Sequence, residues 1–282
     1  MIRIENLHFR YPKKSPLFSA LSWEIPTGNI VGLLGKNGAG KSSFLRVISG
    51  LLFPQKGAVI VEEYSPKERQ PEFLKEVFFV PDECYLPASL TPLNYEKITA
   101  PFYPRFDSDR FKSLLGLFEV GAKIKIKDLS FGQQKKVVLA FALSSGCSLI
   151  LLDEPTNGLD ISSKATFRKE LVSVIREDQT VVIGTHLVKD LENILDRVVI
   201  LDQGRIKLDA NLSDLADGYY FGIAPQAPRE AIFVQSTTLG VQYIEPRESQ
   251  SHSSVNLELL FQAVIKGSDF PLLSSYSNSF SL

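Results

Sequence analysis

The chain has 282 residues, room for one large α/β domain with an appendage or for two modest domains. Its 31 basic and 32 acidic side chains leave a net charge of −1, which offers no electrostatic footprint for nucleic acid or an anionic membrane. No apolar run approaches the ~18 residues that a spanning helix needs, the opening MIRIENLHFR lacks the apolar core of a signal peptide, and the two cysteines form no C-x-x-C pair, which suits a reducing, cytoplasmic compartment.

Residues 1 to 30 alternate as antiparallel strands do. Ile2, Ile4, Leu7 and Phe9 form one run, and Leu21, Trp23 and Ile25 form a second that ends at the turn Pro26-Thr27-Gly28-Asn29. Tyr11 lies between the two runs. Ile30 to Leu34 is then a short apolar run of the kind that makes a buried parallel strand, and Phe44, Leu45, Val47, Ile48, Leu51 and Leu52 recur at helical spacing. Between strand and helix stands Gly35-Lys36-Asn37-Gly38-Ala39-Gly40-Lys41-Ser42, a G-x-x-x-x-G-K-S phosphate-binding loop in the context that the motif requires. Its glycines let successive N–H groups point into one concavity at the positive end of a helix, a cradle for a di- or triphosphate. Lys41 is placed to reach the terminal phosphates and the Ser42 hydroxyl to ligate Mg²⁺.

Two further strands are predicted, Lys56 to Val61 and Glu76 to Pro81. Residues 82 to 146 change character: Pro87, Pro92, Pro101 and Pro104 break the first part, whereas Asp109 to Val120 and Gly132 to Ser145 have helical periodicity, so this stretch reads as a helical insertion. Ser130 is the expected N-cap of the second helix. Ser148 to Leu152 is a buried strand ending in Asp153-Glu154, a carboxylate pair at the strand end where open α/β sheets bind ligands. Asp153 suits the outer shell of a Mg²⁺, and Glu154 suits general-base work on a water. Asp160 is the expected cap of a helix through Ile175. Thr180 to Gly184 is another buried strand, and it ends in Thr185-His186. A lone histidine is more often an ordinary residue, but one closing a strand of the same sheet points at the phosphates. Val198 to Leu201 and Arg205 to Leu208 read as a closing hairpin.

Jointly these motifs resemble an ATP-binding-cassette (ABC) ATPase from about residue 1 to 210. Gly35 to Ser43 resembles the Walker A loop, Leu129-Ser130-Phe131-Gly132-Gln133 the signature loop, Leu149 to Glu154 the Walker B strand, Gly158 to Asp160 the D-loop and His186 the switch histidine. Tyr11 falls where the family stacks an aromatic on adenine. The resemblance implies a P-loop NTPase (RecA-like) α/β core carrying an N-terminal antiparallel β-subdomain, a helical subdomain at about 82–146 and, beyond 210, a small C-terminal α+β appendage. It also implies a head-to-tail dimer, a homodimer or a heterodimer, in which Ser130 and Gly132 address the γ-phosphate held by the partner. ATP and Mg²⁺ are the implied cofactors, and Glu154, His186 and Lys41 the implied catalytic residues. A separate transmembrane permease subunit would hold the protein to the inner face of the membrane. A soluble cassette acting in translation or DNA maintenance is the alternative.

Two departures stand out. Where the family has glutamine after a V-P pair, this chain has Asp82, an acid able to accept a water or approach Mg²⁺ but unable to donate when ionised. Phe131 occupies a signature position that is usually small. Beyond 210, Tyr219 to Ile223, Ala231 to Gln235 and Gly240 to Ile244 read as strands and Asn256 to Val264 as a helix similar to the closing helix of exporter-type cassettes, a thin basis for favouring export; the serine-rich ending from Ser274 reads as mobile.

Overall fold

The computed structural model describes residues 1–191, 193–247 and 253–271. The N-terminal part contains β1 (Ile2–Phe9), β2 (Phe18–Ile25), β3 (Ile30–Leu34), α1 (Lys41–Ile48), β4 (Lys56–Val61), α2 (Pro71–Leu74) and β5 (Val77–Val80). The middle adds α3 (Pro92–Thr99), α4 (Ser108–Leu117), α5 (Phe131–Ser144), β6 (Leu149–Asp153), α6 (Ile161–Val174) and β7 (Thr180–Thr185). The chain continues through β8 (Arg197–Asp202), β9 (Arg205–Asn211), α7 (Leu212–Gly218), β10 (Tyr219–Ala224), β11 (Phe233–Thr237), β12 (Gly240–Pro246) and α8 (Leu257–Ile265).

The uninterrupted apolar runs become the centre. A six-stranded sheet has the order β5-β6-β7-β3-β8-β9, parallel except for the β8–β9 hairpin. Its central strands β3, β6 and β7 are buried on both faces because each face carries its own layer. Val31, Leu33, Leu151 and Val182 face α1 and the antiparallel sheet β2-β1-β4, whereas Leu34, Ile150, Leu152 and Ile183 join the core made with the helical insertion. The register sets Leu34 beside Thr185, Gly184 beside Asp153 and Leu152 beside Val80. The segments that follow β3, β5, β6 and β7 therefore leave the sheet along one edge.

Two expectations are corrected. Helix α1 stops at Ile48: Gly50 takes a φ of 70°, its N–H bonds to Val47 and that of Leu51 to Arg46, so the carbonyls of the last turn are closed off and Leu51 and Leu52 lie outside the helix. In the proline-rich part of the insertion, Pro92 opens α3 rather than breaking it, because the first helical position has no N–H to satisfy and Thr91 caps the turn through Asn94. The insertion is held by aromatic packing. Phe78, Tyr95, Tyr103, Phe106 and Phe111 surround Phe141 of α5 with ring centroids 4.5 to 5.8 Å from it.

Beyond residue 210, α7 is a short helix that the periodicity did not announce, while β10, β12 and β11 form the expected small antiparallel sheet. Helix α8 is capped by Asn256 and buries Leu257, Leu259, Leu260 and Ala263 in the same core as Val198, Ile200 and Leu208 of the central sheet. The serine-rich ending from Ser274 lies outside the described residues.

Candidate nucleotide site

The phosphate-binding loop occupies the turn between β3 and α1. Gly40 takes a φ of 111°, a conformation in the left-handed half of backbone space that suits only glycine. It also brings the backbone against Phe18, since a Cβ at this position would lie 3.0 Å from that ring. Gly35 and Ala39 form the back of the loop, Gly35 packing on the Leu201 carbonyl and Ala39 donating its N–H to Lys36. Lys41 is buried and folded back into the loop, its Nζ donating to the carbonyls of Gly35 at 2.8 Å and Lys36 at 3.3 Å. Burial pulls its pKa below the usual lysine range, and the carboxylates of Glu154 and Asp153 pull it back up.

One cleft of about 970 Å³ brings together Tyr11, Asn37, Gly38, Gly40, Lys41, Ser42 and Ser43 with Asp82, Glu154, Asn157 and His186. Residues from the turns after four different strands meet there because the register aligns those strand ends. Tyr11 shares a 2.9 Å hydrogen bond between its hydroxyl and that of Ser43, and its ring is wedged edge-on to Phe9.

Asp153 ends β6 almost fully buried. Its Oδ1 accepts from the Ser42 hydroxyl at 3.0 Å, while Oδ2 is buried and has no hydrogen-bond partner. Burial raises its pKa above the usual carboxylate range. An orphaned carboxylate oxygen beside a serine hydroxyl is a hard-oxygen donor set that fits Mg²⁺. Among the described residues no group of three or more His, Cys, Asp or Glu side chains is placed to hold a metal, so a cation here would take its remaining ligands from water or a bound phosphate. Asp82 has another partnership: its Oδ1 accepts from Asn157 Nδ2 at 3.1 Å and lies 3.9 Å from Lys135 Nζ.

Glu154 has a φ of 46°, unusual for a residue with a Cβ, and its N–H is secured to the Gly184 carbonyl at 2.7 Å. Its carboxylate is fixed from several sides. The Thr185 hydroxyl donates at 2.7 Å, the His186 N–H at 3.1 Å, and His186 Nδ1 lies 2.7 Å away. Lys41 Nζ is 3.6 Å off. A carboxylate held rigidly, next to a lysine in a phosphate cradle, can receive a proton from a water attacking the terminal phosphate. His186 lines the cleft as expected, with its ring turned against Glu154.

The predicted signature residues sit elsewhere. Ser130 caps α5, its Oγ accepting from Gln133 N–H at 3.2 Å while the Gln133 side chain accepts from Ser130 N–H at 2.9 Å. Phe131 is half exposed, and Gly132 packs so closely on the next turn that a Cβ there would come within 2.7 Å of the Gly158 carbonyl. None of Ser130, Phe131, Gly132 or Gln133 lines the cleft. Asp160 caps α6 through Ser163 and pairs with Lys136 of α5 at 3.0 Å; the hydrogen bonds from Ser162, Ser163 and Lys136 hold its carboxyl well below the usual range. Ser130→Ala is expected to lower folding stability by about 1 kcal/mol through loss of the cap, seen as a reduced urea midpoint; an unchanged midpoint would mean that the capping box adds nothing.

Sequence reasoning missed Thr185, Asn157 and Lys135. Thr185 and Asn157 act through contacts between distant segments. Lys135 carried a faint signal, since it shares a helix stripe with Val138, Leu139 and Ala142, but beside Lys136 it reads as a solvated charge.

The sequence pattern of the family described as "ABC transporter" matches residues 18–157. The SkfA peptide export ATP-binding protein SkfE of Bacillus subtilis (strain 168) is 32% identical over 214 residues, covering 74% of this chain and 88% of that protein. The lantibiotic transport ATP-binding protein SrtF of Streptococcus pyogenes is 28% identical over 213 residues, covering 74% and 90%. Among solved structures, the dimeric post-hydrolysis state of the ATP-binding cassette MJ0796 bound to ADP and Pi superposes with a TM-score of 0.66 at 26% identity, covering 75% of this chain and 99% of that one. With the phosphate loop and Glu154 set in one cleft of a shared fold, and Asp153 bonded to Ser42 behind it, the chain belongs to the ABC transporter ATP-binding proteins and is an ATPase of that family.

Proposed function

We propose that this protein forms a dimer of cassettes that hydrolyses ATP on behalf of a separately encoded transmembrane permease and drives export. The observation that carries the dimer is the separation just described: the cleft gathers the phosphate loop, Asp82, Glu154 and His186 but none of the Ser130–Gln133 turn. A second subunit facing this one head to tail would supply that turn, and because one chain contains every part, two identical copies would make two sites. The dimeric cassette bound to ADP and Pi supports the arrangement. The export and transport functions in the names of SkfE and SrtF favour the direction. Residues 1–210 are read as the ATPase domain, with about 82–146 as its helical subdomain and 211–282 as an appendage. No helix among the described residues is long and apolar enough to cross a membrane, so attachment to the inner face of the membrane would come through the permease.

In this reading, the loop from Gly35 to Ser43 wraps the phosphates through its N–H groups, and Tyr11 supports the base. Lys41 exchanges its carbonyl partners for the terminal phosphate oxygens. Ser42 and Asp153 would hold Mg²⁺, which would supply charge neutralisation of the phosphates. Glu154 orients a water in line with the γ-phosphate and accepts its proton, while His186, against Glu154, keeps that carboxylate aimed and faces the developing charge. The membrane reading is tested by recovering the tagged protein from gently solubilised membranes and identifying what accompanies it. A multi-span membrane protein in stable association is the expected result. Recovery with only ribosomes, DNA or other soluble partners would overturn the transport reading in favour of a soluble cassette.

A further inference from the structure

We infer that Lys135 is a positioning residue for hydrolysis, whose buried ammonium fastens the strand ends that carry Asp82 and Asp153 to the helix that begins with Ser130–Gln133. Its side chain is 0% exposed. Nζ donates to the carbonyls of Pro81 at 2.9 Å and Asp82 at 2.7 Å, lies 3.5 Å from that of Asp153, and is 3.9 Å from the Asp82 carboxylate. An ammonium has three protons to place, and the carbonyls it meets come from the turn that follows β5 and from the last residue of β6. Both lead directly into the cleft: Asp82 lines it, and Glu154 follows Asp153.

Burying a lysine in a helix–sheet interface is costly, and an apolar side chain of the same length would fill the space without that cost. What methionine could not do is gather carbonyls from two adjacent strand ends onto one point of α5. The next residue repeats the theme, since Lys136 binds Asp160 at the start of α6. Helix α5 is thus tied by consecutive lysines to the turns on both sides of Glu154, and its N-terminal residues are set relative to the phosphate site. The same contact gives a reason for the acid at 82. A carboxylate beside a buried cation is compensated, and it in turn holds Asn157 of the turn between β6 and α6.

This inference rests on the reading of Glu154 as the base and of Ser130–Gln133 as part of an ATP site. The test compares steady-state hydrolysis and Mg-ATP binding by the full chain for Lys135→Met, Lys135→Gln and the double variant Asp82→Gln/Lys135→Met, with Asp82→Gln and Glu154→Gln as references. Lys135→Met is expected to lower kcat by about tenfold or more while the Kd for ATP stays within about threefold, because the binding loop is intact and only alignment is lost. Lys135→Gln, which keeps N–H donors for the carbonyls, is expected to recover part of the rate, and it serves as the informative variant should methionine prevent folding. The double variant is expected to be no slower than the slower single variant, as for two members of one unit. Native kcat in folded Lys135→Met or Lys135→Gln, or losses that multiply in the double variant, would overturn the inference. Glu154→Gln keeps the two readings apart: if it abolishes hydrolysis while the Lys135 variants behave as native, the site stands and the positioning role falls.

Discussion

Glu154→Gln is expected to bind ATP as the native chain does and to hydrolyse it about 10²- to 10⁴-fold more slowly, the range associated with removing a general base. The geometry makes this a clean substitution. Glutamine matches glutamate in size, and the backbone N–H at 154 keeps its 2.7 Å bond to Gly184, so the left-handed turn has no reason to change. The amide oxygen can still accept from the Thr185 hydroxyl and the His186 N–H. What is lost is the capacity to take a proton. With ATP bound but not consumed, the proposed dimer should persist, so gel filtration with Mg-ATP should show a dimer for the variant and predominantly monomer for the native protein once its ATP is spent. Phosphate release at the native rate would remove Glu154 from the role of base, and a variant that remains monomeric with ATP bound would count against the head-to-tail dimer.

Lys41→Ala should act earlier, on binding. In the structure the ammonium is already inside the loop, held by the Gly35 and Lys36 carbonyls, so little ordering is needed for it to transfer to phosphate oxygens. Charge-assisted hydrogen bonds of this kind contribute about 1.5–3 kcal/mol, so the variant should bind ATP about 10- to 100-fold more weakly and show no measurable turnover. Nucleotide titration followed by fluorescence would give the affinity. A second readout follows from linkage: saturating ATP should raise the melting temperature of the native chain more than that of the variant. Equal affinity in the two proteins would mean that Lys41 contributes to the loop and not to the nucleotide.

The Phe131 departure finds a simple accommodation. Its ring is half exposed and rests near Gly158, so the bulk is taken up at the surface and the close approach of Gly132 to the Gly158 carbonyl is preserved. Asp82 is a different case, because its role depends on Lys135 and Asn157, residues 53 and 75 positions away.

The parts of this protein written in local pattern were legible without coordinates. The eight-residue loop, the buried strands ending at Leu34, Asp153 and Thr185, and the caps at Ser130 and Asp160 all follow from backbone freedom, apolar runs and side chains that bond within a few residues of themselves. Even the strands beyond 210 showed their period. The end of α1 and the start of α3 did not read correctly, since a glycine after Ser49 and a proline after Thr91 change meaning with their position relative to the helix. What only the tertiary structure decided was convergence. Strand order and register bring Gly35, Asp82, Asp153 and His186 to one edge, and pairing between segments far apart in the chain cannot be read from any one of them. Desolvation was equally hidden: Lys135 and Lys136 read as two solvated charges, yet both are buried, one sealed between a helix and two strand ends and the other turned to the exposed Asp160, because successive residues of a helix point in different directions.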